Sequence, residues 1–176
     1  MKKFLSFKFI ILGDGGVGKT TLLHRYVEGR FFDTTTMTIG VEFLTKQIEI
    51  ESNMCQLILW DISGQERFRF MIDKYMRGAS GALVLFDITN MTSFVNIGKW
   101  VQLVKKYYQN LPISLIAAKC DLEDFSMVAD IYAKKTQERF GMIDFIKTSA
   151  KSGLNVEKPF KALVDYVIKT DKMISK

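Results

Sequence analysis

Histidine is almost missing from this chain. His24 is the single one in 176 residues, which nearly excludes histidine-based metal sites and catalysis by a Ser-His or Cys-His pair. Cysteine is hardly more frequent. Cys55 and Cys120 are the only two, far apart and without metal-ligand spacing, so they read as reduced structural thiols at apolar strand positions. No apolar run approaches the length of a membrane span. The opening stretch "MKKFLSFKFIILGDGG" has too short an apolar part for a signal peptide. Internal repeats, linkers and low-complexity segments are also missing. What these absences leave is a soluble, intracellular globular protein.

What is present fits that expectation. The chain is 48% hydrophobic and 25% charged, a globular composition. Its length suits one domain spanning 1–176, large enough to bury a core. The net charge of +6 raises two possibilities, a nucleic-acid face and a surface for anionic lipid. The lysines are scattered, however, and no basic run is interleaved with aromatics. Solvation is the favoured explanation for them.

Strand-like and helix-like patterns alternate. "FKFIIL" (7–12) reads as a buried strand, followed by a helix from Lys19 to about Glu28. "VEFLTKQIEI" and "CQLILWD" read as two strands joined by a hairpin at 51–54. "GALVLFDI" is another buried run. A helix is predicted over 92–110, with Phe94, Ile97, Val101, Val104 and Tyr108 at helical spacing. Pro112 separates it from the strand "ISLIAA". A helix over about 127–140 ends at Gly141, "MIDFIKTSA" follows, and a last helix holds Pro159 in its first turn. The alternation predicts an α/β fold, a mainly parallel sheet with one antiparallel edge strand and helices on both faces. In such sheets ligands bind beyond the carboxyl ends of the strands.

Those strand ends carry the chemistry. The first strand runs into "GDGGVGKTT", which matches Gly13-x-x-x-x-Gly18-Lys19-Thr20, a phosphate-binding loop. Glycines let successive backbone N–H groups point inward at phosphate oxygens, and the following helix adds its positive N-terminal end. In that pattern Lys19 reaches the outer phosphates and the Thr20 hydroxyl ligates Mg²⁺. The strand "LILW" ends in "DISGQERF". Asp61 is placed to hold Mg²⁺ through water. Gly64 can offer an N–H to a terminal phosphate, and Gln65 can orient an attacking water.

Taken together, "GDGGVGKTT", "TIGVEF", "WDISGQERF", "YMRGA", "LFDIT", "KCDL" and "TSAK" occur in an order that resembles the Ras-like small GTPases, most similar to the Rab branch, over nearly the whole chain. The resemblance implies a six-stranded P-loop GTPase fold and a slowly hydrolysing GTP/GDP switch that uses Mg²⁺. It implies nucleotide contacts from Gly13, Gly15, Gly16, Val17, Gly18, Lys19, Thr20, Thr21, Phe31, Thr35, Thr38 and Gly64, with Thr20, Thr38 and Asp61 at the metal. Gln65, Lys19 and Gly64 would carry catalysis. Lys119 and Asp121 would read the guanine base, supported by Ser149, Ala150 and Lys151. Residues 31–41 and 62–77 would be the switch regions. "RFRFMIDKYM" would be an effector surface, although its apolar residues have the alternative of packing on a neighbouring helix.

Implied partners are guanine nucleotide, effectors, exchange factors and GTPase-activating proteins, with no nucleic acid, on a cytoplasmic monomer. The chain carries no C-terminal cysteine for a prenyl anchor, so at most weak, transient membrane contact is expected.

The chain also departs from that family. Ala118 stands where an Asn usually contacts the base, Ile62-Ser63 stands for Thr-Ala, and Lys147 replaces an acidic residue. Ser63 and Ala118 leave one rival, a GTP-binding scaffold with little hydrolysis, and the net charge alone leaves a much less supported one, a basic nucleic-acid-binding module.

Overall fold

Alternation along the first strand sets up two cores. In the computed structural model, which describes residues 4–33, 38–65 and 72–174, β1 (Phe4–Leu12) lies in the interior of the sheet. Successive side chains of a strand point to opposite faces. Phe7, Phe9 and Ile11 join one buried cluster, and Ile10 and Leu12 join the other. The first cluster is closed by Leu22, Leu23 and Tyr26 of α1 (Lys19–Glu28) and by Phe160, Leu163 and Val164 of α6 (Lys158–Ile174). The second is closed largely by Ile97, Trp100, Val101 and Val104 of α4 (Ile97–Tyr107). A parallel sheet covered on both faces needs such continuously apolar strands.

The sheet has six strands in the order β2-β3-β1-β4-β5-β6. β2 (Val41–Ile50) pairs antiparallel with β3 (Asn53–Ile62), and all other pairings are parallel. The hairpin turn is Glu51-Ser52, both at positive φ (47° and 65°), the twist that suits a two-residue hairpin. β4 (Gly81–Asp87), β5 (Ile113–Ala118) and β6 (Asp144–Lys147) complete the sheet. The short helices α2 (Ile72–Met76) and α3 (Met91–Val95) and the longer α5 (Asp130–Phe140) complete the described helices.

Three expectations need correction. The helix predicted over 92–110 is two helices, α3 and α4, meeting at Asn96. Asn96 turns its amide to Asp14 Oδ2 at 2.7 Å, so that residue serves the first loop as well as the helix. The helix predicted from 127 begins at Asp130, because Ala129 is still extended (ψ 141°). Cys120 is not in a strand. It starts a 3₁₀ segment, Cys120–Phe125, that the apolar pattern did not announce.

Candidate functional site

The loops after β1, β3 and β5 and the one after β6 converge on one cavity of about 510 Å³. After β1 the chain turns at Gly13, whose φ of 141° favours glycine and where a Cβ would overlap the Leu85 carbonyl. Gly18, also left-handed (φ 100°), precedes α1 and offers no side chain to cap it. The first N–H groups of the helix therefore have no side-chain acceptor from the cap residue. Gly15 to Thr21 line the cavity.

Lys19 is buried, and its Nζ donates to the carbonyls of Gly13 and Asp14, both at 2.9 Å. Burial pulls its pKa down to about 8, against the opposing pull of Asp61 and Asp14. Burial likewise pushes the Asp61 carboxyl up, with Lys19 and the Thr20 hydroxyl opposing. Each charge is under-compensated within the protein. A polyanion beside Lys19 and a cation beside Asp61 would correct both.

Thr20 Oγ1 donates to Asp61 Oδ2. With its one proton so used, it accepts from Thr38 Oγ1 at 2.6 Å. The other carboxylate oxygen, Asp61 Oδ1, is buried without a hydrogen-bond partner among the described residues. Two hydroxyls and an orphaned carboxylate oxygen form the all-oxygen donor set that suits Mg²⁺ and its retained waters. These residues fit the ion.

Thr38 also meets the loop after β3. Its carbonyl accepts from Ser63 Oγ at 2.9 Å and from Gln65 Nε2 at 3.2 Å. Gly64 lies so close to the first loop that a Cβ there would overlap Gly13 O, Asp14 C and Gly15 N.

At the far end of the cavity, β5 stops at buried Ala118. Lys119 then takes a left-handed conformation (φ 63°, ψ 35°), unusual for a side-chain-bearing residue. Its Nζ donates to Gly16 O at 2.9 Å and pairs with Asp87 Oδ2 at 2.7 Å. Asp121 Oδ1 accepts from Ser149 Oγ at 2.6 Å, and Ser149 also accepts from Ser152 N at 3.0 Å. Phe31, Ala150 and Lys151 line the same cavity.

Most of the expected site residues are thus brought together. Gly13, Asp61 and Ser149 stand behind its wall rather than on it. Thr35 falls outside the described residues, as do 34–37 and 66–71 of the expected switch regions and with them all of "RFRFM". Sequence reasoning missed Asp14, whose carboxylate also accepts from Trp100 Nε1 at 2.8 Å, and Asp87, the partner of Lys119. "LFDIT" contained Asp87 but nothing in the pattern gave it a task. Lys147 sits outside the cavity and pairs with Glu123 at 2.8 Å and Asp130 at 3.2 Å.

The Ras family model matches residues 8–169. The chain belongs to the Ras family. Among curated relatives it is 40% identical over 172 residues to Ras-related protein RABA2a of Arabidopsis thaliana, covering 96% of this chain and 79% of that one. It is 39% identical over 158 residues to Ras-related protein RABD2c of the same plant, covering 89% and 78%. Against Ras-related protein Rab-10 of Diplobatis ommata it is 37% identical over 165 residues, covering 93% and 82%. As a Rab-like member of the Ras family, the chain is a GTP-binding switch and a GTP hydrolase. No helix among the described residues is long and apolar enough to cross a membrane.

Proposed function

We propose that this small GTPase binds guanine nucleotide with Mg²⁺ in the cavity between Gly15 and Lys151, hydrolyses GTP slowly, and signals the change through 31–41 and 62–77. The observation that carries the proposal is the junction at Asp61. Asp61 keeps one buried carboxylate oxygen without a partner among the described residues, its other oxygen accepts from Thr20, Thr20 meets Thr38, and the buried Lys19 directly precedes Thr20.

Phosphates are held by the loop amides of 13–18 and by Lys19, whose low pKa rises again once an anion is beside it. When bound, Mg²⁺ neutralises developing charge on the phosphate oxygens. Thr20, Thr38 and Asp61 would hold the ion. Gly64 N–H faces the terminal phosphate. Gln65 orients the water, so catalysis is positioning plus electrostatics. No arginine lines the cavity among the described residues, which leaves full rate to a partner that supplies one or fixes Gln65.

The base is read by Asp121, which accepts from guanine N1–H and N2–H₂, a donor pair that adenine lacks. Lys119 covers the ring with its stem, Phe31 packs against it, and Ala150 N–H faces the guanine carbonyl. Effectors would read the aromatic row Phe43, Trp60 and Tyr75, whose ring centroids lie 5.6 and 5.0 Å apart. Phe43 in that row is exposed. The working form is a cytoplasmic monomer of one domain that exchange factors and GTPase-activating proteins act on.

The deciding experiment identifies the nucleotide released from purified protein by denaturation and chromatography, followed by Mg²⁺-dependent GTP titration of Lys19→Ala and Thr20→Asn. Guanine nucleotide in the wild type and greatly weakened binding by both variants are expected. Undiminished binding by both would overturn the phosphate site.

A further inference from the structure

Ser63 occupies a place where a hydroxyl has consequences. The side chain is 1% exposed, and its one proton and its lone pairs serve two different segments. Ser63 Oγ donates to the Thr38 carbonyl at 2.9 Å and accepts from the backbone N–H of Gln65 at 3.3 Å. The Ser63 backbone N–H donates to Gly40 O at 2.9 Å. Thr38 itself precedes β2 and lies outside any regular element. On its hydroxyl side it is held by Thr20 at 2.6 Å. On its carbonyl side the holders are the Ser63 hydroxyl and Gln65 Nε2, the latter at 3.2 Å.

We propose that Ser63 is a positioning residue: its hydroxyl couples Thr38 to Gln65 and keeps the Thr38 hydroxyl in the Mg²⁺ donor set beside Thr20 and Asp61. An alanine at this position has no proton to give, so among the described residues Gln65 alone would retain Thr38 on that side. The Ser63 latch involves only protein atoms and needs no terminal phosphate. It therefore acts in the GDP form as well, and keeps 38–40 docked on the loop after β3 when the terminal phosphate is gone. The contrast between the two nucleotide states is reduced accordingly in this chain. The inference rests on the nucleotide-site assignment proposed above.

The test uses the whole chain, wild type against Ser63→Ala and Ser63→Thr, loaded with fluorescent GDP. Dissociation is followed as free Mg²⁺ is varied, and amide hydrogen exchange is followed at 38–41. In Ser63→Ala the Mg²⁺ concentration for half-maximal retention should rise about five- to tenfold, the scale of one or two neutral hydrogen bonds. Release in excess chelator should stay unchanged, and exchange at 38–41 should quicken while the strands stay protected. Ser63→Thr, which keeps the hydroxyl, should stay close to wild type. An unchanged Mg²⁺ midpoint with unchanged exchange in Ser63→Ala overturns the inference. Faster release that is equal with and without Mg²⁺ also overturns it, because the site would then simply be looser. A Thr variant that behaves like the Ala variant rules against the hydroxyl as the cause. Wild-type protein that retains no nucleotide with Mg²⁺ defeats the site assignment itself, an outcome read before any variant is compared.

Discussion

Lys119 spans the cavity from the end of β5 to the phosphate loop, donating to the Gly16 carbonyl at 2.9 Å while Asp87 holds the same ammonium at 2.7 Å. Next to it, Ala118 is buried and its side chain has no polar atom to offer the loop or a base. The lysine is thus a charged tether joining the base end of the site to the phosphate end. Lys119→Met keeps the alkyl stem and removes the tether. Hydrogen bonds to charged groups contribute about 1.5–3 kcal/mol, so GDP release should quicken by roughly one to two orders of magnitude. Asp87 Oδ1 would retain its bonds from Thr89 N and Oγ1, both 2.8 Å, so the fold should survive. Ala118→Asn should move release the other way, slowing it with GTP-over-ATP selectivity unchanged. Stopped-flow release of a fluorescent GDP checks both, and an unaltered rate in Lys119→Met would dismiss the tether.

Gln65 donates from Nε2 to the Thr38 carbonyl, next to the proposed terminal phosphate. Its task is in the transition state and not in holding ground-state nucleotide. Gln65→Leu should lower single-turnover GTP hydrolysis at least about tenfold, within the range that a positioned polar group contributes, with GTP affinity nearly unchanged. The measurement is a pre-loaded single turnover started with Mg²⁺. Equal rates would remove Gln65 from the mechanism.

The architecture was legible because β4 and β5 were apolar almost throughout, β2 alternated as an edge strand does, and the glycine loops after β1 and β3 each followed a β-run. The phosphate loop was legible for a further reason. Its geometry depends on backbone conformation, and the glycines that permit it are visible as letters. Asp87, Asp14 and Ser63 were not legible in the same way. Their tasks arise from long-range contacts: Asp14 meets Asn96 and Trp100, which join it only once α4 has packed on the sheet. The split at Asn96 was hidden because apolar spacing continues straight through it. Ala118 and Ser63 were visible as departures, yet what replaces the missing Asn and what the extra hydroxyl does emerged only from distances.

Asp144 provides a pH test away from the site. Its carboxyl is pushed up by burial, with the hydrogen bond from Ser114 Oγ opposing. A raised carboxylate pKa means the folded state disfavours the ionised form. Above the folded pKa the group costs stability, and that cost is relieved as pH falls through the folded pKa towards the unfolded value of about 3.9. Asp144→Asn can still accept the Ser114 bond without a charge. It should raise the melting temperature at neutral pH by a few degrees, and the gain should shrink steadily as the buffer is taken down towards about pH 4. A constant gain across that range would mean that the charge is not its cause.

Gly64 gives the sharpest steric test. A Cβ at this position would overlap Gly13 O, Asp14 C and Gly15 N. All three are backbone atoms of the phosphate loop, so no side chain can swing aside to make room. The loop itself is fixed by Lys19, which bonds the carbonyls of Gly13 and Asp14, and by Lys119 on Gly16. In Gly64→Ala it is therefore the segment after β3 that must move away. That displacement takes the residue 64 N–H from the terminal phosphate and carries Gln65 away from Thr38, while Lys19, Thr20 and Asp121 keep their places. The expected outcome at saturating Mg²⁺ is near-normal GDP affinity with GTP hydrolysis lowered at least about tenfold, since both a phosphate donor and the water-orienting group are displaced. Matched GDP titration and single-turnover hydrolysis on the same preparation separate these effects. Equal losses of GDP affinity and hydrolysis would show that the phosphate loop had yielded instead, and normal hydrolysis would show that this close packing is not kept when nucleotide is bound.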